Sequence, residues 1–288
     1  MKLLRFSILV IFVIFGSVSF GQVLEPVQDS PLDGVYSKSL DTPHKKPVAY
    51  VSLREADIMW SERVWRIVDM REKVNHSFYF PIKPAQGRKN FMQTILDGIQ
   101  QERITAYSPY DSATGQFDDA FNVAFTAEEA LNTLAYVTQI TVYNEYDEEE
   151  FKDTLNPIGI EEITSFKIKE EVFFDKQRSS METRILGIAP MIPDKIANDG
   201  SLREAFWIYF PQAREVFAEA EVYNRHNDMA RLTYDELFWK RKFSSRITKV
   251  SNVYDRSVDR YKSPMDALLE AERLEEKIFN REHDMWSF

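Results

Sequence analysis

The sequence contains no cysteine among its 288 residues, which excludes any fold that depends on disulfide bonds. The same absence excludes lipid attachment to a cysteine behind the leader, so we expect a chain that carries no lipid of its own. The four histidines, His44, His76, His226 and His283, do not show the close spacing of zinc ligands. The acidic stretch YDEEE at 146–150 lacks the residue order of a calcium loop, and we interpret it as a solvated loop. The sequence therefore predicts no metal site.

Catalytic signatures are missing as well. The chain has no nucleophile elbow, no phosphate-binding loop and no dinucleotide fingerprint. Paired carboxylates for glycoside hydrolysis cannot be recognised from sequence, because only their separation in space matters. We predict no enzymatic activity and no cofactor.

Positive charge is scarce. The formal net charge is −10, with 36 lysines and arginines against 46 acidic residues. Removal of residues 1–21, which hold two basic and no acidic residues, makes it −12. An acidic chain has little general affinity for nucleic acid or anionic lipid. The basic segment WKRKFSSR at 239–246 is the local exception, and it is a candidate surface for an acidic partner.

Only one long apolar run is present, and it lies at the N-terminus. Lys2 and Arg5 precede the run from Phe6 to Phe15, and small residues follow as far as Gly21. This pattern is typical of a secretory signal peptide, cleaved before Gln22, because the run is too short for a membrane span. An uncleaved anchor is the alternative. An exported chain with neither cysteine nor a second apolar run is most consistent with a bacterial periplasm.

The segment 22–50 is rich in proline and polar residues and lacks apolar periodicity. Such a composition cannot order itself by burial. It is either a flexible leader or an extended arm that becomes ordered against a partner.

The next segment, SLREADIMWSERVWRIVDMREK, predicts an amphipathic helix that begins with a capping box at Ser52 and Glu55. Its apolar face would contain Leu53, Ala56, Trp60, Val64 and Ile67. Ile58 and Trp65 would lie on the opposite face, where they would make either a second contact within the chain or a subunit contact.

Helix-to-strand units follow at three places. The patterns predict a helix before a strand at 104–107, a capped helix from Thr126 before a strand at 136–143, and a helix from Asp235 before a strand at 246–250. Strict alternation in ITSFKIKEEVFFD predicts a further strand, and METRILGIAPMI is its candidate partner in a hairpin.

The stretch AFWIYFPQAREVFAEAEVYN at 205–224 predicts a strand that leads into a helix, with Pro211 in the first helical turn. Alternation would place Trp207 and Tyr209 on one face of the sheet, and Phe206, Ile208 and Phe210 on the other. Both faces are apolar, so both should be covered, and another chain is a candidate cover for one of them.

The C-terminal segment predicts a long helix behind Ser263 and Pro264. Its apolar residues form a broad surface suited to two contacts, and the terminal Trp286 and Phe288 are expected to dock because large apolar groups are costly in water.

Together these patterns predict an α+β fold. Helix–strand units would surround a small mixed or antiparallel sheet, with an extended N-terminal arm and a C-terminal helix. The predicted divisions are a signal peptide at 1–21, the arm at 22–50, an α+β core at 51–230, and a helix–strand–helix extension at 231–288.

Several strings resemble a known family. RILGIAP, FWIYFPQAREVF and DELFWKRKFSSRITKVSN, behind a cysteine-free secretory start, are similar to the GldN/PorN family of periplasmic proteins in gliding motility and type IX secretion. The resemblance covers roughly Val48 to the C-terminus. It implies a non-enzymatic ring subunit that assembles with a GldK/PorK-like outer-membrane lipoprotein on the periplasmic side of the outer membrane. It also implies engagement of a GldM/PorM-like motor shaft, and it assigns no cofactor.

The resemblance supplies no functional residues, so the interface hypothesis comes from the sequence pattern. The predicted interface residues are Ile58, Trp65, Trp207, Tyr209, Trp239, Lys240, Arg241, Lys242, Trp286 and Phe288. Two alternatives stay open. One is a periplasmic ligand-binding or hydrolytic protein with a pocket lined by Trp207, Tyr209 and Trp239, and the other is a passive envelope chaperone.

Overall fold

The computed structural model describes residues 45–286, with gaps at 86, 112–114, 144–148, 195–199, 226 and 228. At 137–143, 149–153, 155 and 286 it describes the backbone alone. The described residues all belong to one compact unit, Thr42–Phe288.

The strands of the described part are β1 Ile58–Asp69, β2 Ala106–Tyr107, β3 Ala124–Phe125, β4 Ala135–Tyr143, β5 Glu149–Pro157, β6 Ser165–Asp175, β7 Ser180–Pro193, β8 Leu202–Glu204, β9 Trp207–Tyr209, β10 Glu221–Val222, β11 Leu232–Thr233 and β12 Arg246–Val250. The α-helices are α1 His76–Tyr79, α2 Phe91–Gln100, α3 Ala127–Thr133, α4 Phe210–Glu219, α5 Tyr234–Trp239 and α6 Pro264–Trp286. The predicted α+β class is confirmed.

The main sheet is antiparallel throughout. Its strand order is β12-β1-β6-β7-β9-β2-β3, and β8 pairs with β7 beside β9. The hairpin of β6 and β7 forms its centre, with Phe166 opposite Pro190 and Asp175 opposite Ser180. This confirms the hairpin that alternation predicts, and it makes the sheet larger than the small one expected.

The helix predicted over 52–73 is wrong. Only Glu55–Asp57 form a short 3-10 turn, and the capping box at Ser52 is replaced by an N-cap at Arg54 without a side-chain hydrogen bond. Strand β1 follows directly, and it pairs with β6 on one side and β12 on the other. A spacing of four residues suits both a helix face and one face of a strand, so Trp60 and Val64 fitted either pattern. Backbone pairing with β6 and with β12 stabilises the strand and outweighs the local helical periodicity.

The helices α2, α4 and α5 cover one face of the sheet. Their apolar core has aromatic rings at its centre, where Phe91 lies 4.9 Å from Phe166 and 5.3 Å from Phe238 between ring centroids. The strand-to-helix prediction at 205–224 is confirmed, because β9 leads into α4 with Pro211 in the first turn. Phe206, Ile208 and Phe210 belong to this core, and Trp207 faces the other way.

The C-terminal helix α6 is confirmed and lies against the β1–β12 end of the sheet. Ala271 is buried beside Val64 and Ile247, and Leu274 and Ile278 are partly buried there. Leu268, Leu269 and Phe279 stay 47%, 60% and 69% exposed. One side of α6 is therefore covered by the chain itself, and these three large apolar residues stay open outside that contact.

The strands β4 and β5 form a separate nine-pair hairpin, which confirms the strand predicted at 136–143. The capping box that precedes it at Thr126 and Glu129 is also confirmed. Within the described residues, no helix is both long enough and apolar enough to cross a membrane.

Candidate interaction surfaces

The helix-covered face contains a buried charged cluster where the helix layer meets α6. Glu170, whose side chain is fully buried, accepts two hydrogen bonds from the guanidinium of Arg241 at 2.9 and 3.1 Å. The Nε atom of Arg66 lies 3.2 Å from the same carboxylate, and Arg66 also donates to Glu275 of α6 at 3.0 Å. Glu170 therefore ties β6 to β1, to α6 and to the basic segment behind α5.

Residues 45–51 dock at the edge of the β6–β7 hairpin. Tyr50 packs against Trp239 with 5.4 Å between the centroids of the tilted rings, and the guanidinium of Arg214 lies 4.4 Å from the Tyr50 ring. Arg214 is buried and donates at 2.7 and 3.1 Å to the carboxylate of Asp235. The predicted arm is thus docked over its last residues.

The electrostatics of this docked segment are set by two ionisable groups. Burial raises the pKa of the Tyr50 hydroxyl, and the positive charge of Arg214 opposes the rise. Partial burial favours a higher pKa for Glu236, but the hydrogen bond and charge of Lys45 outweigh it and hold that pKa below its usual value. Lys45 donates to Glu236 at 3.0 Å and to the backbone carbonyl of Arg231 at 3.2 Å.

The opposite face of the sheet is built around Trp65. The ammonium group of Lys249 lies 4.3 Å from the Trp65 ring, and that of Lys169 lies 5.9 Å from it. Both lysines are buried neighbours of Trp65 in the ladder, one on β12 and one on β6. The indole Nε1 atom donates to Asp119 at 2.5 Å.

Each of these lysines has a carboxylate partner from a loop. Lys169 donates to Asp119 at 3.0 Å, and Lys249 lies 2.5 Å from Asp255. Burial lowers the pKa of Lys169, and the charge of Asp119 limits the shift. Two loops are therefore held to this face by charge.

The loop that carries Asp119 covers the sheet with Phe121. A side chain on Gly187 of β7 would collide with this ring, because its Cβ atom would lie 2.6 Å from the Cζ atom of Phe121. The ring also meets Tyr209 and the fully buried Trp207 edge-on, at 5.5 and 6.3 Å between centroids. Glycine at this position lets the loop lie flat on the strands.

A groove of about 520 Å³ remains open beside this loop. Trp65, Tyr110, Phe117 and Leu202 supply its apolar wall, and Lys167, Arg203, Lys249 and Arg260 supply cationic groups, with Glu204 and Asp255 as the acidic members. Lys167 pairs with Glu204 at 2.6 Å. Four cations against two carboxylates give the groove a positive balance on an acidic protein.

The predicted interface residues are not in one place. Ile58 is half-buried at the start of β1, Trp65 is 5% exposed in the groove, and Trp207 is fully buried beneath Phe121. Tyr209 and Trp239 are 40% and 46% exposed.

The basic segment divides in the same way. Lys240 and Lys242 are exposed, and Arg241 is tied to Glu170. Trp286 is described by its backbone alone, and Phe288 lies outside the described residues.

The pocket of the ligand-binding alternative is not formed by the residues proposed for it. Trp239 lines a pocket of about 420 Å³ together with residues 48–51, and neither Trp207 nor Tyr209 lines that pocket. Trp207 and Tyr209 lie against Phe121 instead.

The sequence patterns did not identify the groove residues Lys167, Lys249 and Arg260 as candidate interface residues. Alternation in ITSFKIKEEVFFD already placed Lys167 and Lys169 on the polar face of β6, which was the available signal. Trp65 could not be joined to them, because its segment was interpreted as a helix.

These features define an α+β protein with an antiparallel sheet and charged, aromatic-lined surfaces. In the part of the chain that the structure describes, no group of three or more histidine, aspartate or glutamate side chains could hold a metal ion. A family model for the gliding-motility-associated protein GldN matches residues 53–287. The chain belongs to the GldN family and is a component of gliding motility and type IX secretion. No curated protein matches it.

Proposed function

We propose that this chain is a non-enzymatic structural subunit of a periplasmic ring at the outer membrane. It self-associates, is held at the membrane by a GldK/PorK-like lipoprotein, and engages a GldM/PorM-like motor shaft. The observation that carries the proposal is a set of large apolar residues left exposed along α6, where Leu268 and Phe279 lie on the same side about three turns apart and Leu269 lies beside Leu268. Large apolar residues grouped on a surface are typical of permanent protein contacts.

A second surface supports assembly with an acidic partner. Trp239 is exposed at the end of α5, directly before the exposed Lys240 and Lys242. Aromatic residues and arginine concentrate at interface centres, and lysines lie at the rim. In a ring with head-to-tail contacts, each subunit presents two different surfaces to its neighbours. Helix α6 and this basic segment are two candidate surfaces of that kind.

The native complex tests the proposal directly. We expect gentle extraction from outer membranes, followed by negative-stain microscopy, to give a large ring that contains this chain and one lipoprotein. A particle with the mass of a single chain, released without detergent, would contradict the proposal.

The helix surface can be tested in the same preparation. Phe279→Asp should release the chain from the ring assembly. It should not unfold the chain, because the side chain of Phe279 is already exposed in the single chain. Lys277→Glu, also exposed on the same helix but on the side away from Leu268 and Phe279, is the control and should leave the ring intact. Equal ring yields for both variants would show that α6 is not a subunit contact.

A further inference from the structure

We propose that the groove around Trp65 binds residues 22–44 of a neighbouring copy of this chain. The inference rests on the proposed ring function, because it supplies one of the contacts between its subunits. The neighbouring arm would lie across the apolar wall with its carboxylates toward Arg203 and Arg260.

Charge complementarity is the first argument. Residues 22–44 contain four acidic residues, Glu25, Asp29, Asp33 and Asp41, and one basic residue, Lys38. The groove has the opposite balance. The side chain of Arg260 is exposed and has no ion-pair or hydrogen-bond partner among the described residues, so its charge is available to a ligand. In a chain with net charge −10, a cationic groove favours an acidic segment.

Apolar complementarity is the second argument. The arm carries Leu24, Leu32 and Leu40 among its polar residues. Tyr110, Phe117 and Leu202 line the groove and are each at least 40% exposed in the single chain. A segment that cannot order itself can bury such residues only on another surface.

The position where the described chain begins favours a neighbouring copy over the same copy. Lys45 is held by Glu236 and Arg231 in the helix layer, and the groove is on the opposite face of the sheet. To reach its own groove, the arm would have to pass around the sheet edge. Twenty-three extended residues span up to about 75 Å, which is enough to reach an adjacent subunit.

Cysteine cross-linking of the mature chain tests this, since the natural sequence has no cysteine to interfere. One tagged copy would carry Leu32→Cys in the arm, and a differently tagged copy would carry Leu202→Cys in the groove. After mixing and mild oxidation, we expect a covalent dimer that contains both tags. The matched control replaces Leu202→Cys with Met265→Cys, which is also exposed but lies on α6.

A charge reversal sharpens the test. Arg260→Glu in the groove copy should lower the cross-link yield about fivefold, as expected for losing an exposed charge contact and adding a repulsion. Arg273→Glu, on the exposed side of α6, should leave the yield unchanged. Circular dichroism of each variant confirms that the chain is folded.

Several outcomes would overturn the inference. They are equal yields at Leu202→Cys and Met265→Cys, no effect of Arg260→Glu, or an intramolecular bond in the double variant at high dilution. Protection of Leu202→Cys from thiol reagents only when the lipoprotein is present would assign the groove to that partner instead. If light scattering shows that the copies associate but no cross-link forms, arm binding in the groove is wrong and the ring proposal stands. If the copies never associate, both arm binding and the ring proposal are wrong.

Discussion

On one face of the main sheet the strands meet helices through aromatic rings, and on the other they meet loops through charged pairs. Phe91 and Phe166 lie at the centre of the first face. The second face has Trp65 between two lysines, each paired with a loop carboxylate. Antiparallel sheets commonly have one face in the core and one toward solvent, and here the second face is closed only in part.

The difference separates stability from recognition. Apolar burial is non-directional and strong, so the helix-covered face should account for most of the folding free energy. Charged pairs near water contribute little to stability but distinguish one partner from another. We therefore expect substitutions on the helix-covered face to change the free energy of unfolding. Substitutions on the loop-covered face should change assembly with a partner.

The largest expected effect is the loss of a central ring. Phe91→Ala removes a side chain with zero exposure that touches five other aromatic rings. It should lower the free energy of unfolding by about 3–5 kcal/mol. The matched change on the other face is Phe121→Ala, whose ring is only half-buried, and it should cost about 1–2 kcal/mol. Urea denaturation of both variants measures the contrast, and equal losses would contradict the division between the faces.

The next effect comes from the buried charged cluster around Glu170 on the helix-covered face. Glu170→Gln leaves Arg66 and Arg241 without their shared carboxylate, and it should destabilise the chain by about 3 kcal/mol. Glu275→Gln removes the exposed partner of Arg66, and it should cost less than about 1 kcal/mol. Thermal unfolding of the two variants distinguishes them. A small effect of Glu170→Gln would show that water already solvates the cluster.

Sequence patterns predicted the second half of the sheet well and the first strand badly. The β6–β7 hairpin and β12 were predicted because alternation and β-branched residues are local signals. Strand β1 depends on partners more than 90 residues away, at 165–175 and 246–250, and short-range periodicity carries no information about them. The local fit to a helix was real, but the ladders outweighed it.

The same limit applied to the candidate surfaces. The exposed Trp239 and Lys240 were predicted because they adjoin one another in sequence. The groove joins residues from β1, β6, β8, β12 and two loops, so only the folded sheet brings them together. Trp207 was expected at the surface as well as in the core, and the covering ring of Phe121, 86 residues earlier, is what buries it.

A smaller effect, confined to alkaline pH, is expected from Lys169. Its pKa is lower in the folded chain, so the unfolded chain binds more protons between the folded value and the ordinary lysine value of about 10.4. The unfolding free energy of the natural chain should therefore rise with pH across that window, relative to Lys169→Met. Urea denaturation at a series of pH values measures this. Parallel pH profiles for the two proteins would contradict a buried, protonated Lys169.

The smallest expected effect is local, at the ion pair that holds the docked segment. Both side chains are about one third exposed, so Lys45→Met should change global stability by less than about 1 kcal/mol. It should still speed amide hydrogen exchange in residues 45–51 by about two- to fivefold, because local opening needs less free energy than unfolding. Lys46→Met, at an exposed neighbour of Lys45, is the control.

Acid should reproduce the effect of that substitution in the natural chain. The pKa of Glu236 is lowered in the folded state, so the ion pair stabilises above the unfolded value of about 4.3 and is lost as the pH falls through the folded value. The natural chain and Lys45→Met should then exchange residues 45–51 at the same rate. If they differ equally at neutral and acid pH, Lys45 acts by its contact with the Arg231 carbonyl and not by charge. Residues 45–51 would then be held, like the core, by contacts that do not depend on charge. The contrast between a face held by apolar contacts and a face held by charged pairs would then not extend to this segment.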